Sequence, residues 1–180
     1  MLSVLILVAN TNRTPRNVYP NNNWKGMIKL YRGINYQTKD GIVENENLKR
    51  PRNPKNTPKN VHLFADKWFK CKFGIKARSE TTFCTPSKAH ALQHVEAGGA
   101  LLEIQLVEGD NSLIFSEEVN DFLDIIPKAF FTTDCEPYSA LADKLDSLNY
   151  QMVHNIYELP RNFMGEVMLS NQKIKVKNID

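Results

Sequence analysis

The stretch Thr81-Thr82-Phe83-Cys84-Thr85-Pro86-Ser87 marks a point at which a strand is expected to pass directly into a helix. Threonine and phenylalanine dominate its first five residues, and both favour strands. Pro86 lacks a backbone donor and therefore interrupts strand pairing. Ser87 is a good N-cap, so we predict a helix over 88–97 that the following pair of glycines ends.

Strands and helices are predicted on both sides of this stretch. Upstream, residues 27–32 are expected to form a strand that Gly33 ends. A helix with Thr57 as its N-cap and Pro58 in its first turn is expected to run up to Gly74. The remaining predictions are helices over 116–126 and 137–149 and strands over 100–107, 151–156, 166–170 and 173–177. Because strands and helices do not alternate regularly, this order predicts an α+β fold.

Three segments carry further expectations. In 173–177, Ile174 and Val176 alternate with lysines, which predicts a half-buried strand at the edge of a sheet. Residues 38–59 are polar and contain three prolines, so we predict a long loop there. A loop of that length in a compact domain is usually functional or disordered. Residues 10–23 are also expected to form a loop.

The composition is that of an ordinary globular protein. The chain has 180 residues, of which 42% are hydrophobic and 24% charged, which favours a single domain over 1–180. No apolar run is long enough to cross a membrane, and Met1–Ala9 lacks the features of a signal peptide. Cys71, Cys84 and Cys135 show no CxxC spacing, so we expect no disulfide framework and a cytoplasmic location.

Charge is distributed unevenly along the chain. Residues 1–80 carry a formal charge of +11, whereas residues 81–180 carry −8. The basic half includes a cluster of lysines and arginines over 49–59. Such a region could attract the phosphates of a cofactor or of a nucleic acid, or it could be a solvated surface.

Several common catalytic motifs are absent from the sequence. There is no P-loop, no GxGxxG, no HExxH and no GxSxG. His90 and His94 stand at the i,i+4 spacing of metal-binding histidines, but no third ligand is evident, and we predict no metal. Cys84 could act as a nucleophile with a distant histidine, although a small buried side chain is the simpler interpretation.

Three short segments together suggest a family. They are Tyr31-Arg32-Gly33, the segment Phe83–Ser87 and Gly165-Glu166-Val167-Met168-Leu169. Their order and separation resemble the mono-ADP-ribosyltransferase superfamily, in the branch with an arginine, a serine-rich strand and a glutamate. The resemblance implies an ADP-ribosyltransferase-like split β-sandwich with flanking helices. It also implies a transferase that uses NAD⁺ as substrate and releases nicotinamide.

The resemblance assigns roles residue by residue. Arg32 would contact the phosphates of NAD⁺, and the backbone at Gly33 would hold the nicotinamide amide. Thr85 and Ser87 would order the site, and Glu166 would be the catalytic carboxylate. The cofactor-binding residues would be Tyr31, Arg32, Gly33, Thr85 and Ser87, with Arg78 just before the serine motif as a further phosphate contact. The catalytic residues would be Glu166, Arg32 and Thr85. An arginine suits a diphosphate, and a carboxylate suits an oxocarbenium-like transition state.

The acceptor would be recognised by the loop 156–165. Its candidate contacts are Tyr157, Arg161, Asn162 and Phe163. Met164 stands where members that modify arginine place Glu or Gln, and Pro86 interrupts the serine motif. The acceptor is therefore expected to be a nucleic acid or a different protein side chain, with a slight preference for nucleic acid.

Alternatives remain open for the whole protein. The fold could serve as a catalytically inactive binding module for nucleic acid or a host protein, or as an NAD glycohydrolase. A looser resemblance, carried by Arg52-Asn53-Pro54 and neighbouring motifs, links the chain to small proteins of bacteriophages and bacterial defence loci. That would imply an effector or toxin in the bacterial host cytoplasm, with an inhibitor or antitoxin as a partner.

The individual residues also have purely structural interpretations. Arg32 could be an exposed cation at the end of a strand, and Glu166 a surface carboxylate on an edge strand. Thr85 and Ser87 could form only a helix cap. Arg78 could lie in a solvated turn.

Overall fold

The computed structural model describes residues 28–128 and 138–179, which form two four-stranded antiparallel sheets and four α-helices. The strands are β1 Leu30–Ile34, β2 Gly41–Glu44, β3 Thr82–Cys84, β4 Ala100–Leu106, β5 Ser112–Phe115, β6 Gln151–Val153, β7 Val167–Ser170 and β8 Lys173–Asn178. The α-helices are α1 Lys59–Phe73, α2 Ala77–Glu80, α3 Lys88–Leu92 and α4 Tyr138–Ser147. This architecture confirms the predicted α+β class.

The two sheets have simple strand orders. The first sheet runs β1-β4-β8-β2 and the second runs β3-β7-β5-β6, with every neighbouring pair antiparallel. An isolated bridge between Tyr31 and Thr85 joins the start of the first sheet to the end of β3. The two sheets therefore meet at β1 and β3, and this junction positions the candidate site.

The second sheet is buried on both of its faces. Leu113 and Phe115 of β5 point into a core shared with the first sheet, whereas Ile114 between them packs in a second core with the helices. In β7, Met168 belongs to the helical core and its two neighbours belong to the core between the sheets. Burial on both faces explains the nearly continuous apolar sequence of these strands.

Helix α1 follows directly from its sequence pattern. Val61, Ala65 and Phe69 recur at helical spacing and are fully buried in the second core. Gly74 ends the helix with a left-handed φ of 77°, and its N–H donates to the carbonyl of Lys70. None of the helices in residues 28–128 and 138–179 has the length and apolar character needed to cross a bilayer.

Some predicted boundaries are confirmed and others are not, and the helix predicted over 88–97 ends at Leu92. Ser87 caps α3, as predicted, by accepting a hydrogen bond from the N–H of His90 at 3.1 Å. The predicted N-cap of α1 is wrong by one position, because Pro58 rather than Thr57 precedes the first helical residue. The strand expected to end at Gly33 instead continues to Ile34, paired with β4.

The predicted helix over 116–126 is wrong. Val119, Phe122 and Ile126 are buried at helical spacing, but only Phe122–Ile125 is helical, as a 3-10 turn. The hydroxyl of Ser116 explains why the segment turns instead, since it accepts from the N–H of Glu118 and donates to a carbonyl at the end of α4. Such local side-chain bonds compete with helix formation.

Two predictions about strand position also fail. Residues 38–59 are not one long loop, because they contain β2 and a 3-10 turn over Glu46–Leu48. Since β2 pairs with β8, the final strand lies inside the first sheet and not at its edge. Ile174 and Val176 are nevertheless buried as the alternation predicts. The expectations for residues 1–23, Cys135 and Pro137 lie outside the described residues.

Candidate functional site

A cleft of about 500 Å³ opens where the two sheets meet. Two backbone hydrogen bonds join the sheets. The N–H of Tyr31 donates to the carbonyl of Thr85 at 2.7 Å, and the N–H of Thr85 donates to the carbonyl of Tyr31 at 2.9 Å. A volume of this size is typical of a small-molecule site. The lining includes Tyr31, Arg32, Gly33, Arg52, Arg78, Thr85 and Glu166. Most of the residues assigned by resemblance therefore come together in one cleft.

Glu166 and Arg78 form an ion pair in this cleft. Nη1 of Arg78 donates to Oε1 of Glu166 at 2.5 Å, and the side chains of Arg78 and Glu166 are only 7% and 14% exposed, respectively. Glu166 immediately precedes β7, which lies between β3 and β5. It is therefore not a surface carboxylate on an edge strand, and Arg78 does not lie in a solvated turn.

Arg78 is held in place by a buried network behind it. Oδ1 of Asp66, on α1, accepts the backbone N–H groups of Arg78 and Ser79 at 2.8 and 3.0 Å. The Ser79 hydroxyl donates to the other carboxylate oxygen, and Nε2 of His62 lies 2.9 Å from that hydroxyl oxygen. Burial lowers the pKa of His62. This network fixes α2 against α1.

The same network is not a hydrolase triad. In a Ser-His-Asp triad the aspartate accepts a hydrogen bond from the imidazole, and the serine is open to substrate. Here Asp66 accepts from the hydroxyl of Ser79, and all three side chains are buried. We therefore assign these groups a positioning role beneath Arg78.

Two further arginines line the cleft beside this pair. Nη1 of Arg32 donates to the carbonyl of Phe83 at 3.0 Å, and Nη2 of Arg52 donates to the carbonyl of Thr81 at 2.6 Å. The guanidinium of Arg52 lies 3.6 Å from the centroid of the Phe83 ring, and that of Arg78 lies 4.2 Å from it. The ring of Phe83 and the carbonyls of Thr81 and Phe83 thus hold these arginines in place.

Three guanidiniums, of Arg32, Arg52 and Arg78, line the cleft together with Glu166. The other two carboxylates of the lining are those of Glu96, which pairs with Lys55, and Asp121. Burial lowers the pKa of Arg32. Burial, and then the two neighbouring guanidiniums, lower the pKa of Arg52 to about 9. A bound anion would relieve both effects, because it replaces lost solvation and offsets the repulsion.

Thr85 connects the cleft to the loop before Glu166. Its Oγ1 donates to the carbonyl of Met164 at 2.9 Å and accepts from the N–H of Ser87 at 3.1 Å. Ser87 caps α3 with its own hydroxyl. The helix-cap interpretation is therefore correct for Ser87, while Thr85 also positions the segment that carries the carboxylate.

Gly33 is required by a close approach of two backbones. A Cβ at this position would lie 2.2 Å from the carbonyl oxygen of Ala91 in α3. The glycine therefore allows α3 to pack directly on β1. This contact gives Gly33 a structural function in addition to its place in the lining of the cleft.

The loop expected to contact the acceptor is only partly exposed. Tyr157, Arg161 and Asn162 are exposed, and Met164 is 56% exposed. Phe163 is buried, and its ring lies 5.1 Å from that of Phe115 in the core between the sheets. Phe163 therefore anchors the loop instead of offering a contact surface.

Two site features were not identified from the sequence. In the sequence Arg52 stands out only as one of several basic residues in a polar segment and as part of the looser phage resemblance, because nothing local shows that it reaches Phe83. Asp121 gave no signal, yet it lies near His90 and His94 at the cleft. Cys84 is 4% exposed, and burial raises the pKa of its thiol to about 12, which agrees with a buried side chain and not a nucleophile.

Comparison of the chain with protein-family models, curated proteins and solved structures finds no match. The cleft and the three motifs that line it are therefore the features from which a function is inferred.

Proposed function

We propose that this protein is an NAD⁺-dependent mono-ADP-ribosyltransferase that transfers ADP-ribose to a macromolecular acceptor. The observation that carries the proposal is the convergence of Arg32, Arg52, Arg78 and Glu166 in one cleft at the junction of two sheets. A diphosphate ligand matches this cluster of three guanidiniums. A carboxylate beside them matches a reaction in which positive charge develops on a ribose.

The proposed roles follow from the groups available. Arg32 and Arg52 would bind the two phosphates, and Thr85 would keep the loop before Glu166 in place. The bond between ribose C1′ and the nicotinamide nitrogen breaks, and nicotinamide leaves with the bonding electrons. The carboxylate of Glu166 would stabilise the oxocarbenium-like transition state. The acceptor nucleophile then forms a bond to C1′ and loses its proton. No step of this scheme uses a metal ion.

The proposal includes the finer fold assignment. We propose an ADP-ribosyltransferase-like split β-sandwich, in which the arginine motif lies on β1, the serine-like motif follows β3 and the glutamate precedes β7. The two antiparallel sheets and their meeting at Tyr31 and Thr85 are compatible with that arrangement. The flanking helices would be α1 and α4 on one side and α3 on the other.

For the acceptor, we propose a nucleic acid in preference to a protein. Supporting observations are the +11 charge of residues 1–80 and the exposed Met164 in place of Glu or Gln. An exposed aromatic ring at Tyr157 could stack on a base. The setting we propose is phage–host conflict in a bacterial cytoplasm, where an inhibitor or antitoxin could be a further partner.

In the experiment, the purified protein is incubated in a bacterial extract with NAD⁺ that carries a label in its adenylate part. Two products are measured: the label transferred to macromolecules and the nicotinamide released. Glu166→Gln is the test variant, since its amide oxygen can still accept from Arg78. Glu108→Gln is the matched control, because Glu108 is exposed outside the cleft. Thermal unfolding establishes that each variant is folded. Protease, RNase or DNase treatment then identifies the acceptor class.

The proposal predicts that the Glu108→Gln protein still transfers the label to an acceptor and that the Glu166→Gln protein does not. Nicotinamide release without transferred label would indicate a glycohydrolase. A catalytically inactive binding module is the second candidate, and the ion pair with Arg78 favours it because that pair occupies the carboxylate. Tight binding of ADP-ribose by folded protein without any turnover would support that candidate and contradict the transferase.

A further inference from the structure

Three potential metal ligands converge at the cleft. One ligand atom from each of His90, His94 and Asp121 lies within 4.8 Å of the others. All three residues line the cleft, although they come from two segments that are about thirty residues apart in the sequence. The proposed transferase chemistry uses none of them.

The local backbone determines how the histidines are presented. Ser87 caps α3, His90 lies in that helix, and His94 follows in the turn one helical repeat later. The N–H of His94 donates to the carbonyl of Ala91, an i→i−3 bond that forms a turn directly after the helix. The two imidazoles therefore lie on one face, with ring centroids 5.5 Å apart. This is the spacing by which helices present paired histidines to zinc.

The third group is already oriented. Asp121 is the N-cap of the 3-10 turn Phe122–Ile125, and its Oδ1 accepts from the N–H of Leu123 at 2.8 Å. A carboxylate has two oxygens with several lone pairs, so it can ligate a metal while it keeps this hydrogen bond. Hydrogen bonds that orient a ligating carboxylate are typical of metal sites.

We propose that His90, His94 and Asp121 bind one divalent transition-metal ion, with Zn²⁺ as the preferred occupant. Two imidazoles and one carboxylate suit zinc, whereas magnesium and calcium prefer oxygen ligands alone. Bonds from zinc to nitrogen or oxygen are about 2.0–2.2 Å long. In a tetrahedral site, two ligand atoms are therefore about 3.4 Å from each other. The ligand atoms now lie within 4.8 Å of one another and must move closer, and none of the three side chains is fully buried, since His94 is exposed and the other two are half-buried.

Three protein ligands leave a coordination position open. In zinc sites of this kind the fourth position holds water or a ligand group. Because all three residues line the cleft, that position would be accessible to a molecule bound beside the arginines. The chemical class that could complete the coordination is an anionic oxygen, as in a phosphate or carboxylate. The site does not depend on the proposed transferase activity.

The test is titration of the chelator-treated protein with Zn²⁺ by calorimetry, and with Co²⁺ by visible absorption. His94→Ala removes an exposed ligand with little risk to folding. Asp121→Asn removes the charge but leaves an oxygen for the N–H of Leu123. His154→Ala is the matched control, since His154 is an exposed histidine that does not line the cleft. Circular dichroism establishes that each variant is folded.

The proposal predicts one Zn²⁺ per chain with micromolar or tighter affinity. His94→Ala and Asp121→Asn should each weaken binding by at least about 10-fold to 100-fold, whereas His154→Ala should match the unaltered protein. The Co²⁺ spectrum should indicate tetrahedral coordination that is lost in the same two variants. Absence of stoichiometric binding, or equal affinity in all four proteins, would overturn the proposal.

Discussion

Arg78 and Glu166 are 88 residues apart in the sequence, yet Nη1 of Arg78 donates to Oε1 of Glu166 at 2.5 Å. The pair links α2 to the start of β7, and Asp66 holds the backbone of α2 from behind. A carboxylate in this position is kept in one orientation by a partner that is itself fixed. The ion pair therefore stabilises the fold and also positions the carboxylate on which the proposed chemistry depends.

We expect removal of one partner of this pair to be strongly destabilising. Arg78→Met should lower the free energy of unfolding by about 3–5 kcal/mol, because it leaves a mostly buried carboxylate without its partner. The double variant with Glu166→Gln should be less destabilised than the sum of the single changes. Urea unfolding of the four proteins measures this coupling. Additive effects would indicate that the two side chains do not interact in solution.

Arg52→Lys should weaken nucleotide binding in the cleft. Lysine keeps the charge but loses the planar guanidinium that stacks on Phe83 at 3.6 Å and donates to Thr81. We expect the affinity for ADP-ribose, measured by calorimetry, to fall by about 10-fold. Arg50→Lys is the control, because Arg50 is exposed and does not line the cleft. Equal affinity in both variants would argue against a role of Arg52 in binding.

Thr85→Val tests whether the hydroxyl positions the loop before Glu166. Valine has nearly the same shape but neither donates to Met164 nor accepts from Ser87. We expect a loss of about 1–3 kcal/mol in the free energy of unfolding, together with reduced turnover of NAD⁺. Thr85→Ser keeps the hydroxyl and should retain most of both properties. If valine and serine behave alike in thermal unfolding and turnover, the hydroxyl is not needed.

Gly33→Ala should disturb the packing of α3 on β1. The added methyl group would lie 2.2 Å from the backbone oxygen of Ala91, so the helix or the strand must shift. We expect a loss of about 1–3 kcal/mol or more in the free energy of unfolding. Asn35→Ala, at an exposed position nearby, should change it by less than about 0.5 kcal/mol. A fully stable Gly33→Ala protein would contradict this contact.

Cys84 should resist alkylation in the native protein. Burial raises the pKa of its thiol to about 12, so the reactive thiolate is scarce at pH 8 and increases only as the pH approaches that value. Cys71 is exposed and should react with iodoacetamide at a rate typical of a free thiol. Peptide mass spectrometry over time distinguishes the two residues. Reaction of Cys84 as fast as that of Cys71 would reopen its interpretation as a nucleophile.

Sequence patterns predict an element correctly where the interactions that form it lie within one segment of the chain. The spacing of Val61, Ala65 and Phe69 and the glycine after the helix predict α1 to within a residue of its observed range. The cap at Ser87 is equally local. The segment 116–126 has the same apolar spacing, but Ser116 forms hydrogen bonds that favour turns, and the helix does not form.

Sequence alone determined the α+β class, the cap at Ser87, the glycine end of α1, the apolar strands and several of the side chains that line the cleft. Only the tertiary structure decided that β8 lies inside a sheet, that Arg52 stacks on Phe83, and that Asp121 joins the two histidines. The physical reason is the distance along the sequence between the residues that interact. Helix caps and burial periodicity act between neighbours in the chain, whereas strand order and clefts depend on contacts between distant segments, which a single sequence does not specify locally.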